Sequence, residues 1–126
     1  MPKTIIHPAD AAAPVGPYNH AVRSGDFLFC SGQIPLAPDS GLLVAGGIWE
    51  QTERVLENIK IILEDQNLDF RHVVKTTVFL TDLADFAVMN EVYARYFTAD
   101  FPARSTIQVA ALPRAAKVEI EVVAHY

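Results

Sequence analysis

Residues 48–80 read IWEQTERVLENIKIILEDQNLDFRHVVKTTVFL, and within that stretch the pattern passes from helical spacing to a run of β-branched side chains. Over residues 48–67 the apolar positions Ile48, Val55, Leu56, Ile59, Ile62 and Leu63 recur at helical intervals, with Glu50, Glu53, Arg54, Glu57 and Lys60 on the opposite side. This predicts an amphipathic helix with one face to bury. Residues 72–80, HVVKTTVFL, predict a strand.

Working outward, residues 18–34 hold two short apolar runs separated by Ser24-Gly25-Asp26, which predicts a β-hairpin turning at the glycine. Four prolines and three consecutive alanines within the first seventeen residues predict an extended or irregular arm. Residues 35–47 read as a loop, with 42–44 as a short edge strand. Downstream, Phe86, Met89, Tyr93 and Phe97 form one apolar stripe, predicting a second helix over residues 83–97 capped by Thr81 or Asp82. Strands are predicted at 104–109 and 117–124, joined through a proline-bearing loop. The order is β-β-α-β-α-β-β. Two helices that each need a sheet face argue for a two-layer α+β sandwich, a mixed sheet with both helices on one face.

The chain has 126 residues, enough for one domain spanning residues 1–126 with a real core. Its formal charge is −5, and its ten Lys and Arg form no basic run that could track a phosphate backbone, so nucleic acid is not an expected partner. The single cysteine, Cys30, excludes an intrachain disulfide and fits a reducing compartment. No stretch approaches the ~18 apolar residues of a membrane span, and the N-terminus lacks the apolar core of a signal peptide. A cytoplasmic location is expected. The four histidines lie far apart without paired ligand spacing, so no metal is expected. Cys30 sits in an apolar strand with no basic residue closer than Arg23, which favours an inert core thiol. Neither a GxxxxGK loop nor a GxSxG elbow is present.

Several polar groups fall where a core is expected. In the last strand Val118, Ile120 and Val122 point one way, leaving Glu119 and Glu121 together on the other face. In the strand before it Arg104, Thr106 and Gln108 share a face. If the two strands are neighbours, an arginine and two carboxylates line one surface; the alternative is a solvated face with an ion pair worth ~0–1 kcal/mol. Asn90 lies inside the apolar stripe of the second helix, where an unbonded amide would cost about 1–3 kcal/mol. It either ties the helix to neighbouring backbone or belongs to a site. Tyr18, after Gly16-Pro17, is either packing or an aromatic with a polar tip at a site. Gly32 ends an apolar strand, as a bend or as a place of close approach.

These pieces coincide with a known pattern. GPYNHAV, FCSGQIP, QTERVLENIKIIL, VVKTTVFLTDLADFAVMNEVYARYF, FPARSTIQVAALP and KVEIEVVA occur in order along nearly the whole chain, which resembles the reactive-intermediate deaminases (RidA/YjgF). The resemblance implies a chorismate-mutase-like fold, a homotrimer with sites between subunits, and hydrolysis of the enamine and imine acids released by pyridoxal-phosphate dehydratases. Those substrates, 2-aminoacrylate and 2-aminocrotonate with their imine forms 2-iminopropanoate and 2-iminobutanoate, would give 2-oxo acids and ammonia without a cofactor. It also implies that Arg104 grips the substrate carboxylate and Glu119 positions or activates water. Tyr18, Gly32 and Asn90 would line the pocket, with the tyrosine coming from the neighbouring subunit.

Two positions depart from the common pattern. Thr106 stands where many members carry a cysteine, so thiol chemistry does not carry over, although its hydroxyl can still bond a substrate. His20 lies in PYNHA where PYSQA is common, as a surface strand residue or as a modifier of specificity. Two other readings compete. One is a non-enzymatic trimer that binds 2-oxo acids or another protein. The other, the nuclease and translation-inhibitor activity attributed to some relatives, is disfavoured by the acidic balance.

Overall fold

The computed structural model describes residues 2–126. Helix α1, Ile48–Asp65, buries Val55, Leu56, Ile59, Ile62 and Leu63, the stripe read from the sequence. The Gly47 N–H donates to the Glu50 carboxylate at 2.9 Å, satisfying a donor at the open end of the helix. It stops two residues short of the prediction because Asn67 turns left-handed at φ 58. The Asn67 and Leu68 N–H groups then bond back to Glu64 and Leu63 carbonyls, the arrangement that ends many helices at Gly or Asn.

Six strands form one sheet in the order β1-β2-β3-β6-β4-β5. β2 (Ala21–Ser24) and β3 (Phe27–Gln33) make the predicted hairpin around a two-residue turn with Gly25 at φ 60. β4 (Val73–Leu80) runs parallel to β5 (Ala103–Gln108), with α2 (Phe86–Tyr93) between them, and antiparallel to β6 (Val118–His125). Leu28, Val78, Leu80, Val118, Ile120 and Val122 face the helices and are buried with them in the main core. Among the described residues the opposite face carries no helix. It exposes Phe27 (41%), Phe29 (48%) and Ile107 (46%).

The two-layer α+β architecture stands, with four differences in detail. First, the N-terminal arm is not wholly irregular: β1 (Thr4–Ile6) pairs antiparallel with β2, and Ile6 is buried. Second, residues 42–44 form no strand, only an isolated bridge between Leu36 and Leu43. Third, the second helix is shorter. The Asp82 carboxylate accepts from the Ala84 N–H at 2.9 Å and opens a 3-10 turn, Leu83–Asp85, and after Tyr93 the bonds from Arg95 and Tyr96 tighten to three-residue spacing. That tightening still folds Phe97 onto Tyr93, ring centroids 4.4 Å apart. Fourth, β5 and β6 are not neighbours, because β4 lies between them.

Strand β4 also breaks alternation. A register shift between Val73 and Lys75 marks a bulge, so Val73 and Thr76 both face the helices where strict alternation would put them on opposite faces.

Candidate active site

Arg104 lies on edge strand β5, on the face toward α2. Its Nη1–H donates to Asn90 Oδ1 at 2.7 Å. The guanidinium carbon lies 4.8 Å from the centroid of the Tyr93 ring and 5.5 Å from that of Phe86, within cation–π range. Phe86, Asn90 and Tyr93 follow at intervals of four and three, so a single helix face meets the guanidinium. Asn90 is therefore bonded to a side chain of β5 rather than tied to neighbouring backbone. Among the described residues no carboxylate lies within 4.0 Å of Arg104. A cavity of about 420 Å³ opens beside it, walled by Asn90, Tyr93, Phe97, Phe101 and Pro102. Two residues on, the Thr106 hydroxyl is buried without a partner.

Glu119 sits on the open face of β6, with Glu121 on the same side. Desolvation, followed by the negative charge of Glu121, raises the Glu119 pKa above the ordinary 4.5. On neighbouring β3 the register shifts between Cys30 and Gln33, and Gly32 comes to lie against the Glu119 carboxylate. A Cβ at position 32 would stand 2.9 Å from Glu119 Cδ and closer still to its oxygen, so the glycine leaves the Glu119 carboxylate its present place. Tyr18 is 44% exposed and shares a small cleft with Pro14, His20, Gly32 and Asn58. Its hydroxyl accepts from the Val15 N–H at 3.3 Å.

The six sequence-predicted residues thus divide. Arg104, Asn90 and Thr106 gather beside α2; Glu119 lies against Gly32 on the other face, and Tyr18 shares with Gly32 a cleft that Asn58 of α1 also lines. Because β4 intervenes and Arg104 turns to the helix side while both glutamates turn to the other, the surface imagined from adjacent strands does not form within the chain. Glu119 pairs with Phe79 and Phe79 with Ile107, so Glu119 is level with Ile107, two strand spacings (roughly 10 Å) from β5.

His20 is no surface residue: it is 4% exposed, and its Nε2–H donates to the Ala12 carbonyl while Nδ1 lies 3.1 Å from His7 Nδ1. Cys30 is buried as expected, its thiol pushed up to about 12 by desolvation. Tyr93 and Phe86 were read from the sequence as packing, and only the interruption of their stripe by Asn90 signalled otherwise. The sequence reading also missed Thr76, whose hydroxyl bonds that of Tyr93 at 2.8 Å inside the core. A larger cleft of about 490 Å³ lies elsewhere, against Glu50, Glu53, Glu57 and Tyr96, and holds none of the predicted residues. No group of three or more His, Cys, Asp or Glu among the described residues could hold a metal ion, and no helix there is long and apolar enough to cross a membrane.

The family model described as endoribonuclease L-PSP matches residues 8–126. The chain belongs to that family, also known as RidA/YjgF. Among its RidA/YjgF relatives, protein DfrA of Myxococcus xanthus is 52% identical over 126 residues, covering 98% of this chain and 96% of the relative. The human 2-iminobutanoate/2-iminopropanoate deaminase is 46% identical over 122 residues, covering 97% and 89%. The structure of E. coli TdcF with bound serine superposes with a TM-score of 0.92 at 42% identity, covering 98% of each chain.

Proposed function

We propose that this RidA/YjgF protein is a hydrolase of enamine and imine acids, converting 2-aminocrotonate and 2-aminoacrylate, through 2-iminobutanoate and 2-iminopropanoate, to 2-oxo acids and ammonia. The observation that carries the reading is Arg104: a guanidinium without a carboxylate partner, oriented by Asn90 at the mouth of a cavity. Such a group suits a planar carboxylate, which it can hold through two parallel charge-assisted bonds. The human deaminase supports the substrate class, and the serine bound to TdcF supports a small amino-acid-like ligand.

In the proposed chemistry the enamine tautomerises to an imine whose carboxylate Arg104 holds. Water adds to the C=N carbon while Glu119 accepts one of its protons. The raised pKa of Glu119 makes it a better acceptor than an ordinary carboxylate, and positioned acid–base groups of this kind typically contribute about 100-fold to 10,000-fold. Glu119 returns that proton to the nitrogen to complete the carbinolamine, which collapses as the carboxylate relays the hydroxyl proton to the nitrogen departing as ammonia. One water enters and one ammonia leaves. Neither a cofactor nor a covalent intermediate is required.

Arg104 and Glu119 occupy opposite faces of one protomer's sheet, so a shared site calls for a second copy. In this reading the helix-free face, with Phe27, Phe29 and Ile107, packs in a homotrimer. The Arg104 half of one protomer then faces the Tyr18, Gly32 and Glu119 half of its neighbour. A cytoplasmic setting belongs to the same reading. The direct test is oxo-acid release from 2-aminocrotonate and 2-aminoacrylate, generated in situ by a threonine or serine dehydratase, with and without the protein. Acceleration supports the assignment. Affinity for 2-oxobutyrate without acceleration would favour a ligand-binding or regulatory role instead.

A further inference from the structure

We infer that Tyr93, held in place by Thr76, is a positioning residue for Arg104, an inference that rests on the carboxylate-anchoring role proposed above. Thr76 and Arg104 are direct partners across the parallel β4–β5 ladder. Thr76 points inward in step with Val78 and Leu80, to the side on which Arg104 meets α2. There the hydroxyls of Thr76 and Tyr93 bond at 2.8 Å in a fully enclosed position, and Thr76 has no solvent exposure. Tyr93, at the end of α2, presents its ring to the guanidinium at 4.8 Å and stacks with Phe97 at 4.4 Å.

A tyrosine ring at the end of a helix can pivot about its Cα–Cβ bond; this one is pinned at its hydroxyl and stacked by Phe97. The pinned ring supplies a fixed π surface, and Asn90 fixes the angle of the guanidinium upon it by accepting from Nη1. An arginine carries five N–H donors in a rigid fork. With Nη1 engaged by Asn90, the others remain available to a ligand. An ordered fork loses less rotamer freedom when a carboxylate docks, so the platform acts on ligand affinity. The sequence disguises this arrangement: Thr76 looks like a β-branched strand residue, and Tyr93 like part of an apolar stripe.

Loss of preorganised ground-state binding raises KM and leaves kcat nearly unchanged. Thr76→Val and Tyr93→Phe break the same hydroxyl pair, so each is expected to raise KM about 3-fold and the double variant no further, since the two changes are coupled. Tyr93→Leu removes the π surface and is expected to raise KM about 10-fold, on the scale of one cation–π contact. Thr76→Ser, which keeps a hydroxyl, should show a KM below that of Thr76→Val.

The experiment measures KM and kcat for these variants, affinity for 2-oxobutyrate by calorimetry, and the mobility of the Arg104 Nε–Hε group by nitrogen-15 NMR. Parallel rises in KM and dissociation constant, with a more mobile Arg104 in Tyr93→Leu and Thr76→Val, support the inference. Unchanged KM and Arg104 mobility despite lowered melting temperatures would overturn it and leave Tyr93 a packing residue. Should the parent bind 2-oxobutyrate without turning over any enamine, the deaminase reading fails while affinity and NMR still decide the platform; equal Arg104 mobility in parent and Tyr93→Leu overturns it in that case too.

Discussion

The two halves of the candidate site are built on opposite principles. Beside α2, Arg104 is surrounded by groups that specify its position: an amide acceptor at 2.7 Å, two aromatic rings and, beneath them, a buried hydroxyl pair. At the β3–β6 bulge, Glu119 is surrounded by removed atoms and repelling charge: a glycine without a side chain, partial desolvation and Glu121 alongside. The first arrangement stabilises a charge that must be ready before ligand arrives. The second keeps a carboxylate less content with its charge, and so more willing to take a proton. The proposed reaction, gripping with one end and transferring protons with the other, needs both environments, and the sheet faces them in opposite directions.

That contrast predicts an order of effects. Arg104→Ala should lower kcat/KM by about 1000-fold or more while leaving the melting temperature nearly unchanged, because the lost interaction is a charge-assisted pair made mainly with ligand. A steady-state titration checks it, and a loss of less than 10-fold would break the assignment of this half as the anchor. Gly32→Ala attacks the other half by pushing Glu119 aside. Here kcat should fall about 100-fold with KM far less affected, and denaturant unfolding should change little, because the displaced atoms are the flexible end of a half-buried side chain. If KM rose and kcat held, the two halves would have exchanged roles.

Smaller effects sharpen the comparison. Because desolvation and Glu121 raise the Glu119 pKa, more of the carboxyl is protonated at a given acidic pH than in a free glutamate. The acid limb of the kcat/KM profile should therefore lie above 4.5, activity being lost as pH falls through the raised pKa. Glu121→Gln removes the second of the two causes and should move that limb to lower pH without moving the melting temperature much. The smallest effect lies outside the site. Arg114 and Ala115, in the loop leading to β6, both hold φ 58, a conformation that costs a residue with a Cβ about 1 kcal/mol. Ala115→Gly should stabilise the fold by up to that amount in thermal unfolding and leave kcat/KM alone.

Much of this was legible in the sequence, unevenly. Helix α1 declared itself because six apolar residues kept one period over the sixteen positions from Ile48 to Leu63, a local property. Its end did not, since Asn67 entering the left-handed region leaves no mark on hydrophobic spacing. β1 escaped because three residues, TII, become a strand only through pairing with β2. Strand order escaped for the same reason: nothing in the alternation of β5 or β6 says that β4 lies between them. Arg104, Glu119, Tyr18, Gly32 and Asn90 could be named from motif resemblance, and Asn90 also from its intrusion into an apolar stripe. Their division into two halves could not, because it depends on which face of the sheet each strand turns toward the helices. Thr76 shares the inward face of Val78 and Leu80, but nothing local in the strand says that its hydroxyl meets that of Tyr93.

In the proposed trimer the two halves belong to one site completed by two protomers. Mixed assemblies made by co-refolding Arg104→Ala with Glu119→Gln test it most directly, with 2-aminocrotonate hydrolysis as the readout. Each variant alone should be nearly inactive, and the mixture should recover a substantial fraction of parental activity, since some interfaces then hold an intact Arg104 facing an intact Glu119. A mixture as inactive as its components, in assemblies shown to have exchanged subunits, would contradict the shared site.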